Sequence, residues 1–591
     1  MNASGTPEPG PRGARADGTS SDVVDVAIVG GGPGGSTLGS LLRKYKRDLS
    51  VRILEKEAFP RDHVGESQLP PISAVLQEMG VWEKVERAGF PVKIGATYTW
   101  GHTVEPWVFE FLPLESVPTA PVRPGSYGGW RVQTAFQVDR AVYDQILLDH
   151  ARDLGCDVRE RTRVASVLRQ GDRIDGLALE SGEIVRARWY VDASGNAAVL
   201  RRAMDVAVEV PTPLKNVAFW NYWENPRWAS EPDVSVTRVH IRSIGYGWIW
   251  FIRLSASRAS VGLVCNAEFY KRSGKPYPDL YREALASENE ISGRLEGATC
   301  RDRVEATTDW SFVVERTFGE NWFLVGECAG FADPILAAGL TLTQTGAREL
   351  AYTILELERG APDRAWLLER YDEVQRRRVR QHMRFAEYWY SANGIFEDIR
   401  EECTRIARDS GLDLSPAHAF QWLAQGGLGD DNPGQAGIGG LDVAGVKQVM
   451  QMFTGGRTRW AIDKKNVFRL NLAGATESTV GELREGRIRR VRCYVRDGKK
   501  LPLVGLQGEL VDVLRQHTDA SEVLTELRER FSLGTSPAHA DVALKQAMGV
   551  LEVMAQEGWI TCDARKKRPL LEVSTPAEGE LIHHVRLEPP L

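Results

Sequence analysis

The chain has 591 residues, and at roughly 100–200 residues per domain this length predicts several domains, or two with large insertions. Apolar residues make up 42% and charged residues 26%, which excludes collagen-like, mostly disordered and membrane-embedded classes. The net charge of −6 is too small to indicate nucleic acid or anionic lipid as a partner. Seven cysteines without a C-x-x-C pair predict neither a disulfide framework nor a zinc site, and they favour a reducing compartment.

The first 21 residues are rich in Gly, Pro, Ser and Ala, with no apolar core. They predict a disordered leader rather than a signal peptide. No window reaches the roughly 18 consecutive apolar residues that a transmembrane helix needs. We therefore expect a cytoplasmic protein without a membrane span.

Strands and helices alternate in the N-terminal part. Val23–Val29 and Val51–Leu54 are β-branched runs that predict buried strands, with a helix over residues 36–47 between them. Residues 139–155 have the apolar spacing of a helix, and residues 185–191 predict another strand. This order is typical of a Rossmann-like sheet with crossover helices.

The pattern then changes to alternating, aromatic-rich segments, which predict an antiparallel sheet over Ala218–Trp223, Ser235–Ile241, Gly247–Leu254 and Ser260–Val264. Asn321–Gly326 returns to a short apolar strand, and residues 344–358 and 363–393 predict long helices. Residues 507–565 alternate short helices with a strand-like segment. This last pattern indicates a small α+β module with a winged-helix-like arrangement.

A glycine motif follows the first strand. Gly30, Gly32 and Gly35 form G-x-G-x-x-G at the start of a helix, and Glu55 ends the second strand. The glycines allow a tight turn, close approach to a pyrophosphate and close packing of helix on strand, while the acid accepts from ribose hydroxyls. The helix N-terminus supplies free N–H groups to the phosphates. The alternative is a glycine turn that only packs tightly.

Two further turns favour FAD over NAD. Asp192-Ala193-Ser194-Gly195 follows a strand, and Asn321–Pro334 (NWFLVGECAGFADP) is a strand that continues into small residues before a helix. Such turns can hold the ribityl and pyrophosphate groups of a flavin from the far side, and a simple NAD domain needs neither. The sequence therefore predicts FAD as the cofactor.

The predicted fold class is α/β (α+β), with a Rossmann-like FAD-binding domain, an inserted antiparallel-sheet substrate domain and a mainly helical, winged-helix-like C-terminal region. The predicted boundaries are a leader at 1–21, a first FAD-binding part at 22–212, a substrate part at 213–315, a second FAD-binding part with long helices at 316–395, and a C-terminal region at 396–591 with a small module at about 505–570.

These motifs together resemble the flavin monooxygenase superfamily typified by p-hydroxybenzoate hydroxylase, and within it the flavin-dependent halogenases. Phe59–Pro70 (FPRDHVGESQLP), residues 90–101 (FPVKIGATYTWG), Trp248–Ile252 (WIWFI) and Asp333–Gly339 (DPILAAG) look like signatures of these enzymes. Ala419–Gly427 (AFQWLAQGG) looks most like bacterial halogenases of natural-product pathways, such as that of the chloramphenicol pathway.

The resemblance implies an activity and a set of partners. Such enzymes take FADH2 from a separate flavin reductase, and reduced flavin with O2 forms a C4a-hydroperoxide. Chloride or bromide attacks its distal oxygen, and the resulting hypohalous acid passes through a channel to a lysine. The lysine activates it by hydrogen bonding or as a haloamine, and an electron-rich carbon is halogenated in secondary metabolism, including antibiotic biosynthesis.

The resemblance also assigns residues. Lys93 is the expected catalytic lysine, and Glu66 is the expected second catalytic group beside the flavin. The alternatives are a solvated lysine at a strand end and a Glu66-Ser67 pair that serves only a helix N-terminus. The residues expected to bind the cofactor are Gly30, Gly32, Pro33, Gly34, Gly35, Glu55, Ser67, Asp192, Gly195, Gly326, Glu327, Asp333, Pro334 and Gly339.

Trp248 and Trp250 alternate along a strand, which by itself predicts only aromatic core. In the family they are thought to separate flavin from substrate. The sixth position of the family's W-x-W-x-I-P motif is Arg253 here instead of proline. Proline would end strand pairing, whereas arginine lets the strand continue.

Ala338 and Gly339 are the expected halide site, because backbone N–H groups in a small-residue turn bind anions. The alternative is simple packing against flavin. Leu336 stands where tryptophan halogenases have a glutamate, which favours phenols, pyrroles or activated acyl groups as substrates. Gly326-Glu327 replaces the superfamily's usual Gly-Asp, and the longer acid can still accept from ribityl hydroxyls.

The basic run Arg376–Arg380 lies on a predicted helix, and we interpret it as a solvated face. The alternative is a docking surface for an acyl or peptidyl carrier protein that bears the substrate. No metal site is predicted. Two other functions stay open on the same scaffold: a flavin-dependent hydroxylase, which the Arg253 departure keeps open, and a non-catalytic flavoprotein of pathway assembly.

Overall fold

The structure is a computed structural model. It describes residues 23–101, 104–112, 116–119, 121–210, 214–228, 236–308, 311–409, 437–438, 441–454, 458–533, 537–573 and 585–588. The predicted leader at 1–21 and the segment Ala419–Gly427 lie outside these residues.

A parallel sheet forms the first layer. Its strands, in spatial order, are Trp322–Leu324, Ala187–Asp192, Val24–Val29, Val51–Leu54 and Asp157–Arg159. One face packs on the helices Pro33–Tyr45, Pro71–Met79, Trp82–Arg87, Arg140–Asp153 and Gly339–Glu358. The other face packs on the hairpin sheet Val164–Gln170, Arg173–Leu179 and Ile184–Val185 and on the short helix Val199–Ala203. Because both faces are covered, the central strand is a nearly continuous apolar run.

The second sheet is mostly antiparallel, as predicted. Its strands, in spatial order, are Thr299–Cys300, Asn216–Glu224, Arg258–Asn266, Gly247–Arg253, Val236–Ile244, Val92–Thr99 and Trp107–Glu110, with Glu305–Thr308 and Ala135–Phe136 at its sides. The strand Val92–Thr99 pairs in parallel with Val236–Ile244. The sheet therefore also takes strands from residues before 213. The helices Ala267–Ser273, Tyr277–Ser287 and Asn289–Leu295 lie beside it.

Arg253 behaves as the sequence predicts. The strand Gly247–Arg253 stays paired through its last residue, where Arg253 lies opposite Ala259. The guanidinium packs 4.3 Å from the centroid of the Trp228 ring. Arginine in place of the family's proline thus keeps this end of the strand paired with its neighbour.

The long helix Arg364–Ser391 carries the basic run Arg376–Arg380, and it corrects the prediction of a solvated face at Arg378, whereas Arg376 and Arg380 are partly exposed. Arg378 is buried, and its Nη2 lies 3.0 Å from Glu349 Oε1. Arg370 contacts the same buried carboxylate, so both cations lower the pKa of Glu349. A buried carboxylate needs such partners, and this requirement draws Arg378 inward.

The C-terminal region mixes helices and short sheets. Its helices are Arg400–Asp409, Val443–Thr454, Gly505–Gln516, Ala520–Ser532 and Pro537–Gln556. Its strand pairings are Gly437–Ile438 with Leu441–Asp442, Val467–Leu470 with Ile560–Asp563, Leu570–Val573 with Val585–Glu588, and the sheet of Thr476–Arg484, Arg487–Arg496 and Lys499–Pro502. The strands Val208–Glu209, Phe312–Val314 and Gly330–Phe331 form a small sheet elsewhere. Within the described residues, none of the helices has the length and apolar character to cross a membrane. The mixed α/β class is confirmed.

Candidate functional site

The first turn of the parallel sheet forms a close backbone cradle. Gly30 has a φ of +106°, and a Cβ there would lie 2.4 Å from the Ala193 carbonyl oxygen. A Cβ on Gly35 would lie 2.0 Å from the Gly30 carbonyl oxygen, so helix and strand can pack closely only with glycine. A Cβ on Gly32 would meet only Arg61 Nη2, at 3.5 Å. Gly32 therefore faces open space, as a pyrophosphate cradle requires.

Glu55 directly follows the strand Val51–Leu54 and lies beside this turn, one residue beyond the predicted strand end. Its Oε2 accepts a hydrogen bond from the Gly31 N–H at 2.8 Å, and its Oε1 accepts from the Glu57 N–H at 2.9 Å. The carboxylate is thereby held at the mouth of the glycine turn.

Two arginines at the cradle were missed by the sequence predictions. Arg140 binds both oxygens of Asp144, at 2.7 and 2.9 Å, and donates to the Val64 carbonyl at 2.9 Å. Arg61 Nη1 lies 3.6 Å from the same Asp144 carboxylate. Arg61 Nε also lies 3.3 Å from Glu57 Oε2, so acidic partners hold both guanidinium groups at the cradle, where they can contact phosphates. A signal was present at Arg140, since a cation at the first position of a helix opposes the helix dipole.

The second turn closes the cradle from the opposite side. Gly195 and Glu327 line the cavity, and burial raises the pKa of Glu327 while Arg140 opposes this rise. Asp192 lies behind the lining. Its Oδ1 accepts from Ser194 Oγ at 2.6 Å, and its Oδ2 accepts from the Leu200 N–H at 2.8 Å. Asp192 thus shapes the turn and does not face the cavity.

The third turn, Asp333–Gly339, contains the predicted halide site and is called the halide turn below. Asp333 is buried behind it, and its Oδ1 accepts from the Ile335 N–H at 2.9 Å. Ala337 adopts left-handed backbone with φ +52°, and the following helix starts at Gly339 without a side-chain cap. The first N–H groups of a helix without a side-chain cap are available to an anion. Gly339 lines the cavity, and Ala338 lies just behind it.

Glu66 is buried beside the cavity. Its Oε1 accepts from the Tyr222 hydroxyl at 3.0 Å, and its Oε2 accepts from the Gly65 N–H at 3.2 Å. Burial raises the pKa of Glu66 to about 7. The neighbouring Ser67 Oγ is buried without a hydrogen-bond partner in the part of the chain that the structure describes, and it does not cap the following helix. A buried hydroxyl that faces a cavity suits a bound ligand.

Lys93 lies within the strand Val92–Thr99 and is 2% exposed, so it is not a solvated lysine at a strand end. Its Nζ donates to the Gln68 carbonyl at 2.9 Å and lies 5.4 Å from the centroid of the Phe111 ring. Among the described residues, no carboxylate forms an ion pair with it. Burial alone lowers the pKa of Lys93 to about 7, so the neutral amine is available near neutral pH.

Trp248 and Trp250, called the tryptophan wall below, lie on the same face of their strand. Both are buried, and their ring centroids are 6.1 Å apart. Trp248 Nε1 donates to the Tyr390 hydroxyl at 2.7 Å, and Trp250 Nε1 donates to Ser260 Oγ at 3.1 Å. A Cβ on Gly262 would lie 2.2 Å from the Trp250 ring, so glycine makes room for this indole.

One cavity of about 460 Å³ joins these parts. The predicted site residues that line it are Gly30, Gly32, Pro33, Gly34, Glu55, Glu66, Ser67, Lys93, Gly195, Trp248, Trp250, Gly326, Glu327, Pro334 and Gly339. Gly35, Asp192, Asp333 and Ala338 lie outside the lining. The sequence predictions missed Arg61 and Arg140 at the glycine cradle and the aromatic lining residues Tyr98, Phe109, Phe111 and Trp389.

The cradle fits FAD. Open space at Gly32, the two arginines and the unpartnered Ser67 hydroxyl together suit a phosphate-bearing ligand. A model of the FAD-binding domain family matches residues 23–386. The chain belongs to the FAD-binding domain family. This membership confirms FAD over NAD.

Two proteins of similar sequence are named as halogenating enzymes. A 1H-pyrrole-2-carbonyl-(peptidyl-carrier protein) chlorinase of Pseudomonas fluorescens is 29% identical over 382 residues, covering 63% of this chain and 84% of that protein. A tryptophan 2-halogenase of Chondromyces crocatus is 32% identical over 356 residues, covering 58% and 64%. The chain therefore spans less than two thirds of this second relative.

Solved structures share the fold. CmlS, a flavin-dependent halogenase, superposes with a TM-score of 0.67 at 23% identity over 92% of this chain and 96% of that one. The myxobacterial chondrochloren halogenase CndH superposes with a TM-score of 0.57 at 27% identity, covering 74% and 98%. The predicted resemblance to flavin-dependent halogenases is confirmed, and the chain is an enzyme of this kind.

Proposed function

We propose that this enzyme uses FADH2 and O2 to oxidise chloride or bromide to hypohalous acid and delivers it through Lys93 to an electron-rich carbon in secondary metabolism. The observation that carries the proposal is the continuity of one cavity from the glycine cradle, past the tryptophan wall, to a buried lysine without a carboxylate partner among the described residues. A hydroxylase on this scaffold has no evident use for such a lysine.

Bound reduced flavin supplies the activation of O2 that makes halide oxidation possible. The residues of the chain bind the cofactor and the halide and transfer the proton. Arg61 and Arg140 hold the pyrophosphate end electrostatically, while the Ala338 and Gly339 N–H groups hold the halide. Glu66 has a pKa of about 7, so its carboxyl can donate and recover a proton at neutral pH as the halide is oxidised.

Lys93 receives the hypohalous acid at the far end of the cavity. With a pKa of about 7, Nζ is present both as an ammonium that can donate a hydrogen bond and as a neutral amine. The neutral amine can displace hydroxide from hypohalous acid and form a haloamine, with release of water. Either form presents the halogen as an electrophile, and the tryptophan wall keeps the organic substrate away from the flavin.

The cavity lining includes the aromatic residues Tyr98, Phe109, Phe111 and Trp389, and the Phe111 ring lies 5.4 Å from Lys93 Nζ. Such walls suit a planar, electron-rich ring, and we propose a phenol, a pyrrole or an activated acyl group as the substrate. The Pseudomonas relative is named for a carrier-bound pyrrole, which supports an acyl or peptidyl carrier protein as a partner here. A separate flavin reductase would supply FADH2 in the cytoplasm.

The domain division is also proposed. The parallel sheet takes strands from before residue 213 and after residue 315, which supports two FAD-binding parts around a substrate part. Three consecutive helices over Gly505–Gln516, Ala520–Ser532 and Pro537–Gln556, followed by the strand Ile560–Asp563, support a winged-helix-like C-terminal module.

The test is turnover with a flavin reductase, FAD, NADH, O2 and either chloride or bromide. Free phenols and pyrroles and a carrier-bound pyrrole are offered, and products are identified by mass spectrometry. The proposal predicts halogenated product that disappears in Lys93→Met, while reduced flavin is still consumed. A product 16 Da heavier than the substrate, together with direct NADPH oxidation, would instead identify a hydroxylase.

A further inference from the structure

The hydroxyl of Tyr390 connects two sides of the cavity. It accepts the indole N–H of Trp248 at 2.7 Å and donates to Asp333 Oδ1 at 3.3 Å. Trp248 lies in the substrate sheet, Asp333 begins the halide turn and Tyr390 lies on the long helix Arg364–Ser391. Three separate elements therefore meet at one buried hydroxyl.

We propose that Tyr390 is a positioning residue that fixes the tryptophan wall relative to the halide turn. The inference rests on the proposed halogenase function. Tyr390 itself is absent from the cavity lining, so it acts through Trp248 and Asp333. Its role is to keep the tryptophan wall and the halide turn in the positions that lead hypohalous acid to Lys93. Less hypohalous acid is then lost before it reaches the substrate.

Asp333 holds the other end of this chain of hydrogen bonds. Its Oδ1 also accepts from the Ile335 N–H at 2.9 Å, inside the halide turn, and its Oδ2 accepts from Asn216 Nδ2 at 2.9 Å. The carboxyl is 2% exposed, so water does not replace a lost partner easily. A shift of the Tyr390 hydroxyl is therefore transmitted to the backbone that carries the anion position.

The Tyr390 ring is held independently of its hydroxyl. It stacks on Phe396 at 5.9 Å and contacts the edge of Trp100 at 5.9 Å. Tyr390→Phe should therefore keep the ring in place and remove only the acceptor of Trp248 and one donor to Asp333. The variant tests the hydrogen bonds rather than the packing.

The chain provides a matched control two residues away. Tyr388 is on the same helix and is fully buried, but its hydroxyl has no hydrogen-bond partner within the described residues. Tyr388→Phe deletes the same atom at the same depth without breaking a hydrogen bond. It should leave folding, halide dependence and product yield unchanged.

The experiment measures a structural signal and a chemical ratio in the full-length protein. In protein without flavin, labelled with ¹⁵N-tryptophan, the Trp248 indole N–H signal is identified by its loss in Trp248→Phe. Tyr390→Phe should move this signal to a less hydrogen-bonded position, and Tyr388→Phe should not. In turnover, Tyr390→Phe should lower the halogenated product per reduced flavin by about two- to tenfold, the value of one buried hydrogen bond, and raise the KM for halide.

A double variant separates this role from general destabilisation. If Tyr390 acts through Trp248, Tyr390→Phe should lower the yield far less in a Trp248→Phe background than in the wild type. Wild-type yield in Tyr390→Phe, an equal loss in Tyr388→Phe, or simple additivity in the double variant would each overturn the inference. Absence of halogenated product from the wild type would overturn the proposed function itself, and this outcome is distinct from the other three.

Discussion

Replacement of Lys93 by methionine should stabilise the folded protein, and more so at pH 7 than at pH 9. The lysine is buried with an apolar ring nearby, and burial lowers its pKa from the ordinary 10.5 to about 7. The unfolded chain therefore binds more protons than the folded chain between these two values. Stability consequently rises with pH across that window, and below pH 7 the full penalty of the buried ammonium applies.

The pKa values of Lys93 in the folded and the unfolded chain determine the size of this stabilisation. Relative to a lysine that is neutral in both states, the ammonium costs about 4 kcal/mol at pH 7 and about 2 kcal/mol at pH 9. Lys93→Met removes this cost but also leaves the Gln68 carbonyl without its donor, which costs about 1 kcal/mol. The net gain should be about 3 kcal/mol at pH 7 and about 1 kcal/mol at pH 9.

Urea unfolding of the two proteins without flavin, at both pH values, measures this gain. Lys447→Met is the contrasting variant, because Lys447 is equally buried but its Nζ lies 3.0 Å from the buried Glu552 Oε1. Its removal leaves the buried Glu552 carboxylate with hydrogen bonds from the Ile462 N–H and Gln556 but without this counter-charge, and it should destabilise by about 3–5 kcal/mol. A Lys93→Met gain that is absent, or that does not change with pH, would refute the account of a desolvated lysine that has no carboxylate partner among the described residues.

Three further predictions concern the other walls of the site. Gly35→Ala should abolish FAD binding, measured by flavin fluorescence, because the new Cβ would lie 2.0 Å from a backbone carbonyl oxygen; binding at the wild-type level would contradict the tight cradle. Tyr222→Phe removes a hydrogen bond that lowers the pKa of Glu66, so the limb of the pH–rate profile that reports this acid should move to higher pH, and an unmoved profile would argue against Glu66. Gly262→Ala should push the Trp250 ring out of place and lower the yield of halogenated product per flavin, whereas an unchanged yield would show that the ring is not needed.

Local patterns allowed much of the fold to be predicted. The glycine turn, its strand and its helix lie within the continuous segment Val24–Tyr45, and steric rules act at that range. Alternating aromatic residues likewise predicted a strand over Gly247–Leu254 with its two tryptophans on one face, and the structure has this strand at Gly247–Arg253. Lys93 was predicted through family resemblance, since spacing alone did not distinguish it from a solvated lysine.

Contacts between distant segments were not predictable from local patterns. Tyr222 and Glu66 are 156 residues apart, and Trp248 and Tyr390 are 142 apart, yet each pair shares one hydrogen bond. Such pairs depend on how the substrate sheet and the long helix pack. The helical or strand periodicity of a short segment gives no information about this packing. The same reason explains why Arg378, predicted on a solvated face, is buried against Glu349.

The most direct test of the central claim is reductase-coupled turnover with bromide, comparing the wild type with Lys93→Met. The account predicts a brominated product with its isotope doublet from the wild type and none from the variant, with equal consumption of reduced flavin and equal FAD binding by both. Bromination by Lys93→Met at the wild-type rate would contradict the account, because the buried amine would then have no part in the transfer of halogen.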